Sequence, residues 1–376
     1  MNTRQPSPEG REFGTAHASA QPCDGVTLLT GDANEVLATL PAASVDCVVT
    51  SPPYWRLRDY DTGTWSGGDW DCPHPTAVDE PPGAVNTTQQ CPRCGAQWTD
   101  RQYGQEPSPD AYVDHLRQVF AELARVLSDT GTVWLNLGDS YAANSDGYHC
   151  TRPGQYRQLR FRPASGLPHK NLLGMPWRAA LALQNDGWIL RNAIIWHKPN
   201  AAPFPTTDRL TCRYELLFLL VKQPHYYFNL DPIRQPYTGD RSLARRAHRS
   251  GNKPNTARGT WPQPCDTACG ATPRGRNPGD LWSIPVTPPR RAPHPAPIPL
   301  DLPLRCIAAG CPPAGTVLDP FSGTSITGLA ARQLGRNYIG IDLNPALHHV
   351  AEARLQQQTL WAPAAADRTS NGREKG

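Results

Sequence analysis

Val317-Leu318-Asp319-Pro320-Phe321-Ser322-Gly323-Thr324, followed by Tyr338-Ile339-Gly340-Ile341-Asp342, is the stretch on which the fold turns. An apolar run closed by an acidic residue reads as a buried strand over 317–319. Residues 320–324 read as a tight glycine-containing turn, 325–334 as a helix and 338–342 as a second strand. Strand, loop, helix and strand in so few residues form the repeating unit of a parallel sheet. A turn that feeds a helix start makes a nucleotide-type cradle. The turn has neither G-x-G-x-x-G spacing nor a lysine for phosphates, so the expected ligand is a nucleoside without phosphates. Asp342, ending the next strand, stands where an acidic residue accepts hydrogen bonds from two ribose hydroxyls.

Upstream, 26–29 and 45–49 read as strands around a short helix over 34–40, and 132–137, 188–197 and 214–222 as further strands. Apolar residues at Tyr112, Leu116, Val119, Phe120, Leu123, Val126 and Leu127 have helical spacing, with Pro109-Asp110 as start and Thr130-Gly131 as stop. Residues 175–185 read as another helix. The expected fold is α/β, a mostly parallel sheet covered on both faces.

The strand at 45–49 stops at Thr50-Ser51-Pro52-Pro53-Tyr54-Trp55. Two consecutive prolines fix φ twice and remove two donors, which leaves carbonyls free to accept at the carboxyl edge of the sheet. Such a group suits an amine on a heteroaromatic ring, whose delocalised lone pair makes it a poor nucleophile. The Ser51 hydroxyl and the Pro52 carbonyl can hold both N–H bonds and favour a pyramidal nitrogen, while Tyr54 stacks on a base drawn out of the duplex. Taken alone, these four residues read equally well as a strand-ending turn. Ser51 is a poor base, so water is the expected acceptor of the released proton.

Together the two motifs resemble the amino-methyltransferase family of DNA modification enzymes (N4-cytosine and N6-adenine), over roughly 26–60, 110–230 and 290–355. The family's catalytic motif is matched in full by Ser51, Pro52, Pro53 and Tyr54. Its cofactor loop is matched by Asp319, Pro320, Phe321, Ser322, Gly323 and Thr324, and then departs at Ser325 and Ile326. A Cβ at position 325 is expected to alter the approach to the cofactor's carboxylate. The resemblance implies a Rossmann-like methyltransferase fold, S-adenosylmethionine as cofactor and duplex DNA as substrate. It also implies that Asp32 contacts the adenine amino group, that His294 lies in the segment beside the cofactor's methionine end, and that Asp342 holds the ribose. The catalytic motif precedes the cofactor loop, which is similar to the permuted class with the target-recognition region between them. Related enzymes acting on RNA or on protein glutamine usually have the reverse order. A hydroxyl residue at the motif's head resembles the cytosine-N4 branch, with adenine N6 as the alternative. Gly138-Asp139 and Trp55 are candidates for the wall that sizes the base.

The other features are graded by position. Cys91-Pro92-Arg93-Cys94-Gly95 is a thiolate knuckle, and Cys72 and His74 complete a four-ligand set for one structural zinc ion within a 61–109 insertion. Cys265 and Cys269 stay unassigned. Arginines crowd 239–291, which marks 229–293 as a loop-rich target-recognition region. The expected division is a disordered tail (1–22), the catalytic part (23–228), the recognition region (229–293), the cofactor-binding part (294–361) and a second disordered tail (362–376). The net charge of +4 is too mild to announce a nucleic-acid partner by itself. The longest apolar run, Leu216 to Val221, is too short for a membrane span, and no secretory signal opens the chain. A cytoplasmic location is therefore expected, with a cognate restriction endonuclease as possible partner and the oligomeric state open. A reading from another class, a zinc-containing DNA-binding protein without activity, requires that Ser325 abolish cofactor binding.

Overall fold

A computed structural model describes residues 25–60, 62–69, 71–74, 89–142, 165–203, 206–236, 275–286 and 298–357. The expected tails, His294, Cys265, Cys269 and most of the arginine-rich segment lie outside the described residues.

Eleven strands are described: β1 (Val26–Thr30), β2 (Val45–Thr50), β3 (Thr64–Ser66), β4 (Gln89–Gln90), β5 (Gln97–Thr99), β6 (Leu127–Leu137), β7 (Ile189–His197), β8 (Tyr214–Val221), β9 (Leu281–Ser283), β10 (Thr316–Asp319) and β11 (Asn337–Asp342). The helices are α1 (Ala33–Thr39), α2 (Pro109–Val126), α3 (Met175–Asn185), α4 (Asp301–Gly310), α5 (Ile326–Gln333) and α6 (Pro345–Gln357). Eight strands form one sheet in the order β1-β11-β10-β2-β6-β8-β7-β9. Strand β8 alone runs against its neighbours β6 and β7, and every other pairing in this sheet is parallel. The expected mostly parallel α/β sheet is what forms.

Both faces are covered. One core packs α1, α2 and α3 through Leu37, Tyr112, Phe120, Leu123 and Leu183, and the other packs α4 and α5 through Cys306, Ile307 and Ala330. Burial on both sides explains why Leu216 to Val221 is apolar without alternation. Helix α2 starts where Ser108 caps it, accepting from Ala111 N at 3.1 Å, with Pro109 in the first turn, where its missing donor costs nothing. The Thr130-Gly131 stop lies inside β6, in an irregularity where the pairing jumps from Val45↔Leu127 to Cys47↔Thr132. Helices α4 and α6 were not read from the sequence. Alanines, Cys306 and a Pro303 blur the apolar stripe of α4, and α6 has almost no apolar asymmetry.

The flanks of the 229–293 region belong to the main domain. Gln235 and Arg276 exchange backbone hydrogen bonds, and β9 extends the sheet beside β7. Residues of the 61–109 insertion form a separate small antiparallel sheet, β3-β5-β4. Among the described residues, no helix is long and apolar enough to cross a membrane.

Candidate active site

Four strand ends converge at the carboxyl edge of the sheet. Gly31 and Asp32 follow β1, Ser51 to Tyr54 follow β2, Asp319 closes β10 and Asp342 closes β11. All of them line one cavity of roughly 350 Å³, within the range of small-molecule sites. The sequence separation between the two motifs vanishes because β10 pairs directly with β2.

The 319–324 turn is held from several sides. Asp319 is buried and accepts from Thr50 Oγ1 (2.8 Å), Thr327 Oγ1 (2.8 Å) and Phe321 N (3.1 Å). Burial raises its carboxyl to about 6 against these bonds. Asp342 accepts from Gly323 N and Asn344 N, each at 2.8 Å, and burial raises its carboxyl too. Arg354 on α6 donates to both the carbonyl and the hydroxyl of Thr324 at 2.7 Å. His348, also on α6, sits between Thr30 Oγ1 (3.1 Å) and Ser322 Oγ (3.4 Å), and burial lowers its imidazole to about 4. Tyr103 meets the Phe321 ring edge-on, centroids 4.9 Å apart. Asp32 caps α1, with Oδ1 accepting from Asn34 N and Glu35 N.

Ser325 is fully buried in the left-handed region, at φ 55° and ψ 48°. That conformation favours glycine, which accounts for a glycine in the family pattern at this place. The cavity is lined by 319–324, 326 and 327, while Ser325 lies against the buried Tyr338 phenol. Ser325 itself is not among the residues that line the cavity.

On the other wall, Ser51 Oγ lies 3.2 Å from Asn136 Oδ1 and 3.3 Å from Tyr54 Oη. Asn136 Nδ2 donates to Leu216 O, which fixes the amide so that its oxygen faces Ser51. Tyr54 Oη is 3.0 Å from Asn136 Oδ1 and donates to Glu215 Oε2 at 2.7 Å. Burial, and then the Glu215 carboxylate, push the phenol well above its usual range. Glu215 also pairs with Lys198, whose ammonium lies 4.6 Å from the Trp196 ring centroid. Gly138 lets Tyr54 approach β6, since a Cβ there would fall 2.6 Å from the ring.

Asn136, Lys198, Glu215, His348 and Arg354 were missed from sequence. A polar residue inside the apolar run 133–137 and a glutamate heading the apolar β8 were the available signals. Two candidates for the base wall have other work. Trp55 is buried and donates to Glu106 O, and Asp139 accepts from Ser140 N and Met175 N at the start of α3. Cys72, His74, Cys91 and Cys94 do come together, their ligand atoms all within 4.8 Å of one another.

Comparison with known proteins agrees with this geometry. The DNA methylase family of N6 and N4 methyltransferases matches residues 45–353. The chain is 35% identical over 336 residues to the type II methyltransferase M.Cfr9I of Citrobacter freundii, covering 89% of this chain and 88% of the relative. It is 33% identical to the type II methyltransferase M.SmaI of Serratia marcescens, covering 87% and 90%. In fold it is similar to the solved PvuII DNA methyltransferase (cytosine-N4-specific), at a TM-score of 0.53 and 16% identity, covering 92% and 89%. A sheet with one antiparallel strand, a cavity shared by the S-P-P-Y and D-P-F-x-G motifs, and relatives alike along nearly their whole length lead to one conclusion: the chain belongs to the N6/N4 DNA methylase family and is a DNA methyltransferase.

Proposed function

We propose that the chain transfers a methyl group from S-adenosylmethionine to the N4 amine of a cytosine flipped out of duplex DNA. The observation that carries this reading is the shared cavity, which sets Ser51 and Pro52 against the Asp319–Thr324 turn and Asp342.

The residues fit the cofactor. Asp342 would hold the ribose and Asp32 the adenine edge, with Phe321 and Leu347 as apolar walls. Gly323 keeps the turn low at φ 51°. S-adenosylmethionine, when bound, supplies an electrophilic methyl group carried on a sulfonium.

The chain's own residues prepare the amine. Ser51 Oγ, held by Asn136, and the Pro52 carbonyl accept its two N–H bonds and favour the pyramidal nitrogen over the planar one. As the N–C bond forms, the methyl–sulfur bond would break with its electron pair left on sulfur as a neutral thioether, and the nitrogen, now cationic, must shed one proton. A protonated amine on an electron-poor ring is a strong acid, so a carboxylate suffices to take it. On that route Ser51 Oγ, turned from Asn136 toward Tyr54, would take the amine proton and pass its own to Tyr54 Oη at 3.3 Å, and Tyr54 would pass its phenol proton to Glu215 Oε2 at 2.7 Å. This route is proposed beside the water expected from the sequence.

Cytosine is preferred because the motif opens with a hydroxyl residue. The recognition module would be the arginine-rich segment between Gln235 and Arg276, which the main domain holds at both ends. The relatives' designation as type II methyltransferases supports a role beside a cognate restriction endonuclease. The test is digestion of methylated DNA to nucleosides with identification by mass. N4-methylcytosine is expected, and N6-methyladenine without it would reject the cytosine assignment.

A further inference from the structure

Cys72, His74, Cys91 and Cys94 form a cluster that methyl transfer does not use. Cys72 Sγ and Cys91 Sγ are 3.8 Å apart, and His74 Nε2 is 3.2 Å from Cys94 Sγ. Tetrahedral zinc with Zn–S of about 2.3 Å requires sulfur–sulfur edges of about 3.8 Å and nitrogen–sulfur edges of about 3.5 Å. A disulfide would require S–S near 2.05 Å, and all three cysteines are free thiols.

The surroundings orient the donors. Peptide N–H groups of Arg93 and Cys94 donate to the Cys91 sulfur, and those of Ala96 and Asp69 to the Cys94 sulfur. Such bonds offset thiolate charge and aim the lone pairs. Trp65 stacks on the His74 ring at 4.8 Å and 17°, fixing its plane. Gly68, at φ +72°, passes so close that a Cβ would sit 2.7 Å from Cys94 Sγ. The three strands here have only three, two and three residues, too few to bury a core of their own, and units of this size need a staple.

The small sheet leads directly into the cavity. Past the Thr64↔Thr99 pair, Thr62 Oγ1 donates to Asp100 Oδ1 at 2.8 Å. Tyr60 N donates to Gln102 Oε1 at 2.6 Å, and Gln102 Nε2 to Arg58 O at 2.8 Å. Arg58, Tyr60, Thr62, Arg101, Gln102 and Tyr103 line the cavity. Arg101 also pairs with Glu35 on the helix capped by Asp32.

We propose that these four residues bind one zinc ion, and that the ion clamps the two ends of the insertion into the wall that closes the cofactor side of the cavity. Four protein ligands leave no open position, so the ion holds structure and takes no part in the reaction. The metal site stands by itself. Its coupling to the cavity rests on the reading of that cavity as the cofactor site.

The test uses the full chain. Purified without chelator, it should carry one zinc per chain by elemental analysis. Cobalt substitution should give thiolate charge-transfer and tetrahedral d–d absorption. Cys91→Ser should lose the ion, while His74→Cys should keep it with a changed cobalt spectrum. A chain without zinc whose three thiols react freely under native conditions would overturn the site. Removing the ion with a chelator should weaken S-adenosylmethionine binding at least tenfold in equilibrium dialysis, with recovery on adding zinc back. Unchanged affinity after removal would overturn the clamp. A zinc-loaded chain that never binds the cofactor would overturn the cavity reading and the coupling with it, and leave the metal site standing.

Discussion

Thr50 Oγ1 donates a 2.8 Å hydrogen bond to Asp319 Oδ1 across 269 residues of sequence. Thr50 immediately precedes Ser51 at the end of β2, and Asp319 opens the turn after β10. The bond therefore ties the end of β2 to the turn after β10, the two segments that line opposite walls of the cavity.

Replacing Thr50 by valine keeps the shape and removes the donor. A lost bond to a buried carboxylate costs about 2 kcal/mol, so Thr50→Val should lower the denaturation midpoint measurably. Without this donor the Asp319 carboxyl rises further above 6. Its folded value already exceeds the unfolded one, so the folded state holds the proton longer and stability falls as pH rises through that window. In the variant that decline should extend to higher pH. An unchanged midpoint and pH profile would show that the bond does not hold the two turns together.

The two walls should separate in kinetics. Glu215→Gln keeps the volume and removes the carboxylate reached through Tyr54, so turnover should fall about a hundredfold with cofactor affinity intact. Asp342→Asn should instead weaken S-adenosylmethionine binding by about ten- to a hundredfold. Equilibrium dialysis and single-turnover assays on both variants check the division. It fails if Glu215→Gln weakens cofactor binding as much as Asp342→Asn.

Ser325→Gly should stabilise the protein. The left-handed backbone costs a non-glycine residue about 1–2 kcal/mol, and Ser325 is not among the residues that line the cavity. A rise in the melting temperature with unchanged cofactor affinity is expected. A fall would mean that the contact with Tyr338 outweighs the strain.

His348 should make stability depend on pH. Its folded value, about 4, lies below its ordinary 6.5. Between the two, the unfolded chain binds a proton that the folded chain refuses, so stability rises with pH there. This contribution is complete above 6.5 and is lost as pH falls through about 4. His348→Gln should flatten the decline between pH 6.5 and 4 when denaturation curves are compared with the wild type. Parallel curves would exclude the imidazole as its source.

Sequence alone determined the elements whose signals are local. Strand, turn, helix and strand over 317–342 follow from apolar runs broken by Pro320 and Gly323, and α2 from its periodicity and the Pro109-Asp110 start. The S-P-P-Y and D-P-F-x-G motifs carried the family, and the knuckle at 91–95 named two of the four cluster residues by itself. Strand order was not local. Only the packed sheet decided that β10 lies beside β2, and so that Ser51 shares a cavity with Asp319 and Asp342. Asn136, Lys198 and Glu215 were invisible for the same reason. Each is a polar residue near an apolar strand, and its meaning depends on which strand end it faces. Position 325 is the converse case. Its serine departs from the motif, yet it is fully buried in the left-handed region and does not line the cavity. A side chain's direction is set by φ and ψ, and those are properties of the folded chain.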